Sequence, residues 1–223
     1  MTIPPKRQST IRRIVLLGVV AFVLLTFHRP ILAGAGRYFA PTATGEADVL
    51  VLEGNNAIDR AFLHAGMALL PQGRANHIVV ILFYSRLSGL DSGVESKSSR
   101  FIALESHSLG VKKEQVSVIW VPISGHPITL SEAKFVTDRL YRDGVRSAIL
   151  FCDGFHTRRS IAAYRREASR LGLNIIPFAS FTSYPRDSWW RTSAGIDDFV
   201  EQSLKFAFYL IRGYLPITSL WSL

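Results

Sequence analysis

The chain has 223 residues, 48% of them hydrophobic, which excludes a disordered chain and a multi-span transporter and leaves room for one domain plus an extra segment. The formal charge of +9 is lopsided: six Lys or Arg and no acid precede Glu46, whereas 20 basic residues face 17 acidic ones from there on. A nucleic-acid binder wants its basic stripe on the folded domain, so no nucleic-acid partner is expected; a single cysteine, Cys152, excludes an intrachain disulfide and a cysteine-based metal site.

Residues 1–13 form a basic tail with Lys6, Arg7, Arg12 and Arg13. An apolar run follows over 14–27, is interrupted by His28-Arg29-Pro30, and resumes over 31–36. A membrane span wants about 20 apolar residues. With Arg29 snorkelling, 14–36 reads as a transmembrane anchor, and the preceding charges hold the N-terminus in the cytoplasm. A cleaved signal peptide ending near Ala33-Gly34-Ala35 is the rival reading. Both send the domain outward. The expectation is a single-pass protein of the plasma (inner) membrane with its C-terminal domain on the periplasmic side. Residues 37–45, with Pro41 and Gly45, form a linker.

The α/β domain is expected over 46–215, with a short tail at 216–223. Apolar runs at 47–52 (ADVLVL), 77–83 (HIVVILF), 116–123 (VSVIWVPI), 148–151 (AILF) and 174–179 (NIIPFA) read as buried strands, Pro177 marking an edge. Helices are expected between them at 57–70, 97–109, from Thr129, and opening at His156 with a stripe at Ile161, Tyr164, Ala168 and Leu171, and after them from Asp197 to Tyr214. Thr129 and Glu132 have the spacing of a capping box, and Gly144 closes that helix. Strands and helices alternating in this way build βαβ units with a mostly parallel sheet. The fold class is therefore a three-layer, Rossmann-like α/β sandwich with five strands.

In such sheets ligands bind beyond the carboxyl ends of the strands. The turn after the first strand carries Glu53, Asn55 and, one step on, Arg60; the second ends in Ser85; the third leads to Thr129 and Glu132; the fourth holds Asp153, His156 and Arg159. Arginines fork onto phosphate or carboxylate oxygens, so Arg60 and Arg159 are candidate anion ligands, with Asn55, Ser85, Thr129 and Glu132 beside them. His156, Asp153 and Glu53 are the candidate acid–base residues. In the bland alternative Asp153 caps a helix and the arginines are solvated. No dinucleotide fingerprint, Walker loop, H-E-x-x-H or G-x-S-x-G is present, and no metal site or cofactor is assigned. Residues 181–196, with Tyr184, Trp189 and Trp190, read as a lid or as a segment packed on the core.

Three short motifs occur in order: Asp59-Arg60-Ala61 after the first strand, Thr129-x-x-Glu132-Ala133 at a helix start, and Phe155-His156-x-x-Arg159 after an apolar strand. Their order and spacing resemble the YdcF/SanA/ElyC-like family, of which the chain would be a divergent member. That resemblance implies a Rossmann-like fold with a pocket at the strand ends, a role in the bacterial cell envelope or its surface polymers, and a phosphate-bearing or lipid-linked ligand. Two of the family's glycine-rich turns are replaced here by Glu53-Gly54-Asn55-Asn56 and Tyr84-Ser85-Arg86-Leu87-Ser88-Gly89. Fewer glycines mean less close backbone approach to a phosphate, which keeps a non-catalytic ligand-binding or scaffold module in view as the alternative to an enzyme.

Overall fold

Five apolar runs become five strands because each can be covered on both faces by helices. A computed structural model of the chain describes residues 5–54, 59–85, 92–123 and 127–221. The strands are β1 (Val49–Glu53), β2 (His77–Ser85), β3 (Val116–Ile123), β4 (Ser147–Asp153) and β5 (Asn174–Ser180). All neighbours pair in parallel, in the order β3-β2-β1-β4-β5. β5 lies at an edge, as Pro177 requires of a residue with no N–H to give. β1 and β2 reach beyond their expected ends, to Glu53 and Ser85, so their final residues pair with Cys152 and Ile123.

Period-two alternation sorts the strand residues between two cores. Leu50, Leu52, Ile78, Val80, Ile149 and Phe151 face α2 (Arg60–Met67) and α3 (Ser92–Ser108). Val49, Val51, Val79, Ile81, Leu150 and Cys152 face α4 (Ile128–Arg142), α5 (Thr157–Ala168) and α6 (Ser193–Ile211). This is the expected three-layer sandwich. Helix starts differ from expectation in two places. Asp59 caps α2 by accepting from the Phe62 N–H at 2.7 Å. Pro127 precedes α4 with no side-chain cap, so Thr129 and Glu132 form no capping box. Both are buried instead. Gly144 ends α4 with φ of 84°, as read from the sequence.

Before the sheet runs α1 (Pro5–Phe39), which passes through Pro30. Val15, Leu16, Val19, Phe22, Phe27 and Ile31 are exposed. Ala33 and Gly36 are buried because the helix end docks on the domain. The Trp189 indole N–H donates to the Leu32 carbonyl at 3.0 Å, and a Cβ on Gly36 would stand 3.0 Å from the Trp189 ring. Phe39 meets Phe199 and Phe206 edge-on. The expected boundary between anchor and linker at residue 36 thus falls inside a continuous helix. Among the described residues no helix is long and apolar enough to cross a membrane. Trp189 packs on Phe155 and Phe199, so the aromatic segment is part of the core rather than a free lid.

Candidate functional site

The order of the strands reverses between β1 and β4, and a crevice opens where neighbouring connections leave on opposite faces. Glu53 ends β1 on the α4–α5 side, in alternation with Val49 and Val51. It pairs in register with Cys152 of β4. Beyond β4 the chain turns through Gly154, whose φ of 52° favours glycine. A Cβ there would collide with the Asp198 carboxylate, which accepts from the Phe155 N–H at 3.0 Å and from the Tyr184 hydroxyl. That turn, Gly154–His156, aims His156 back over the end of β1.

His156, Arg159 and Ser160 fall on one side of the helix start, three and four residues apart. An Arg159 Nη2 N–H faces His156 Nδ1 at 2.7 Å, so Nδ1 accepts and the ring proton sits on Nε2. Nε2 donates to Ser160 Oγ at 2.8 Å, and the Ser160 hydroxyl donates to Glu53 Oε1 at 2.7 Å. Nε2 also lies 3.2 Å from Glu53 Oε1. The Cys152 thiol donates to the other Glu53 oxygen at 2.9 Å. Arg159 reaches Gln202 Oε1 of α6 at 3.2 Å. The Tyr164 hydroxyl, one further turn along α5, donates to Glu132 Oε1 at 2.9 Å. The Glu132 carboxyl lies near enough to Glu53 for the two to feel one another's charge.

Two buried carboxyls near one another disfavour each other's ionisation. Burial pushes Glu53 up, but the His156 ring and the hydrogen bonds from His156, Cys152 and Ser160 outweigh it, and its carboxyl is held below the usual range. Burial and the Glu53 charge push Glu132 well above it, against the Tyr164 hydrogen bond. The two shifts run in opposite directions, so Glu132 holds a proton more tightly than Glu53 does. Burial and the Glu53 charge likewise push the Cys152 thiol up, so it is a neutral, packed donor. Burial lowers Arg159, offset by Tyr209 and by Glu53, Glu132 and Glu201.

The network floors a pocket of about 290 Å³. Thr129, Glu132, His156 and Arg159 line it with Lys205, Phe208 and Tyr209 of α6, which roof it. Lys205 pairs with Glu201 one turn away. The pocket thus combines an aromatic wall, two cations and a buried pair of carboxyls. Among the described residues no cluster of His, Cys, Asp and Glu could hold a metal ion.

Of the residues singled out in the sequence, Glu53, Thr129, Glu132, His156 and Arg159 come together here. Arg60 does not. It lies on α2, across the sheet, where its Nη2 meets Glu105 Oε1 of α3 at 2.8 Å and its side chain is 69% exposed. His64 joins the same carboxylate at 2.7 Å. Asp153 ends β4 without capping the turn after it, and is exposed beside the charges of Asp198 and Asp59. Ser85 ends β2, and Asn55 lies outside the described residues. The two arginines at the start of α5 are not solvated: Arg158 and Arg159 are both buried. Ser160, Tyr164, Cys152, Gln202 and Lys205 enter the site without having been singled out for it. For Ser160 and Tyr164 the signal was the helical face, four and eight residues after His156.

No family model and no curated protein matches the chain.

Proposed function

We propose that the chain is a membrane-anchored, exported domain of the YdcF-like kind that binds a phosphate-bearing cell-envelope or surface-polysaccharide precursor in the pocket between β1 and β4. One observation carries the reading: Arg159 and Lys205 line the pocket over the buried Glu53–Glu132 pair at the strand ends, and Arg159 is joined to Glu53 through His156 and Ser160. Guanidinium and ammonium groups suit phosphate oxygens. The Phe155-His156-x-x-Arg159 motif that carries the family resemblance supplies two members of the network.

Ligand binding has more support than turnover. Both His156 ring nitrogens are already engaged, Nδ1 by Arg159 and Nε2 by Ser160 and Glu53. Anion binding that draws Arg159 away from Nδ1 frees that nitrogen, and a proton-transfer step then has Glu132 as its proton source. The test is thermal shift of the full chain with inorganic phosphate, glucose 1-phosphate and uridine monophosphate, since a ligand of the folded state raises the melting temperature. The expected result is a rise with a phosphate ester that Arg159→Gln and Lys205→Gln each reduce. Glu132→Gln, which copies the protonated acid, keeps the rise and loses any turnover of the ester. No response to any of the three, or a response unaltered by Arg159→Gln, defeats the proposal.

A further inference from the structure

A second concavity, of about 400 Å³, lies where α1 meets the turn Arg186–Arg191. Arg29, Arg37, Trp190 and Arg191 line it. Arg29, Ala33 and Arg37 recur every four residues, so they share the face of α1 that looks onto that turn. Its one carboxylate, Asp187, is already met by two guanidiniums: the Nε of Arg37 and the Nε of Arg186 each stand 3.4 Å from Oδ1. Arg29 and Arg191 have no ion-pair partner among the described residues. The cleft is therefore cationic after its internal pairing is complete.

Its surroundings say what kind of anion fits. On the same helix Val15, Val19 and Phe22 are exposed, and helical spacing puts them on the face of Arg29, Ala33 and Arg37. Large apolar side chains exposed beside arginines and a tryptophan make up the composition of a membrane–water boundary. A soluble anion has no use for that apolar rim. We propose that this cleft holds the phosphate of an anionic phospholipid headgroup, with the exposed apolar residues of α1 entering the lipid beside it. The inference rests on the membrane placement proposed above, but not on α1 crossing the bilayer. It also orients the domain. Just after α1 the chain joins the edge strand β5: the Ala179 N–H donates to Thr42 Oγ1 at 3.1 Å and the Ala43 N–H to the Pro177 carbonyl at 2.9 Å. α1 thus leaves from the carboxyl edge of the sheet, the edge on which the Glu53 pocket opens. Headgroup binding in the cleft brings that edge to the lipid surface.

The experiment is partition of the full chain onto vesicles of phosphatidylcholine with and without phosphatidylglycerol, at low and high salt. The double variant Arg29→Gln/Arg191→Gln is compared with Lys112→Gln/Arg142→Gln, which removes equal charge elsewhere. The expected loss on phosphatidylglycerol vesicles is roughly fivefold per arginine, about 25-fold for the pair, with little change in the control. Lys at both positions restores most of the affinity, and high salt weakens the parent. Equal losses in both double variants, or none in either, overturn the proposal. So does displacement of the parent from the vesicles by inorganic phosphate, which marks a soluble-anion site. The Arg29→Gln/Arg191→Gln variant keeps its thermal response to the phosphate ester, so failure here and failure of the Glu53 pocket read out separately.

Discussion

Asp153 occupies the tip of β4 with its charge opposed from three directions. Desolvation and the neighbouring charges of Asp198 and Asp59 outweigh His156 and push its carboxyl up to about 6. A proton held more tightly in the folded chain than in the unfolded one stabilises the fold fully below the unfolded value of 3.8, and that contribution is lost as pH rises through about 6. Asp153→Asn is therefore expected to be more stable than the parent at about pH 8, by roughly 1 kcal/mol after allowing for solvent screening, and equal to it below about pH 4. Denaturant melts at the two pH values check this; a variant less stable at the higher pH would show that the side chain is needed as an ion. Asp153 and Glu53 end adjacent strands, yet their proton affinities move in opposite directions. The difference is hydrogen bonding. Glu53 accepts from Cys152, His156 and Ser160, while Asp153 meets other acids.

A helix advances about 100° per residue, so consecutive arginines of α5 work in different directions. Arg159 turns into the pocket. Arg158 turns away, donates to the Ser219 and Leu220 carbonyls at 2.7 Å, and stacks its guanidinium 4.1 Å from the Tyr38 ring centroid. The Tyr38 hydroxyl reaches the same Leu220 carbonyl at 2.8 Å. One side chain thereby ties α5 to the end of α1 and to the C-terminal turn. Lysine keeps the charge but loses the planar stack and the Nη2 that meets both carbonyls. Arg158→Lys is expected to cost about 1–3 kcal/mol in urea denaturation while leaving phosphate-ester binding intact. Unchanged stability would show that the guanidinium's contacts contribute nothing, and lost binding would mean that α5 had moved as a whole.

Across the whole molecule the sheet acts as a partition, and the partition decides which polar strand-end residues can meet. Glu53, Glu132, His156 and Arg159 share the α4–α5–α6 side; Arg60 faces α3 from the other. Arg60→Ala is thus expected to leave the phosphate-ester response whole and to lower the melting temperature only slightly, because Arg60 is itself exposed and His64 still meets the Glu105 carboxylate. Loss of the response in that variant would put Arg60 back among the ligands. The side of Glu53 was readable in advance: with Val49 and Val51 it forms one face of a period-two strand, and Arg60 belongs to the helix covering the other. Reading each turn as a set of residues, without carrying the strand's alternation into it, is what joined Arg60 to the site. Glu132 belongs to the site as expected, but not as half of a capping box. Its spacing from Thr129 imitates a cap, and local sequence does not reveal a second carboxyl waiting across the sheet edge.

Strand number, the alternation with helices, the edge position of Pro177 and the polar character of the strand ends all follow from local pattern. They depend on apolar periodicity and on the missing proline N–H, which are properties of neighbours in the chain. The buried Glu53–Glu132 pair, the hydrogen-bonded path from Arg159 through His156 and Ser160, and the opposed duties of Arg158 and Arg159 depend on groups brought together from distant segments. Charge and hydrogen bonding act through space over a few ångströms, so only the packed chain decides which acid keeps its proton.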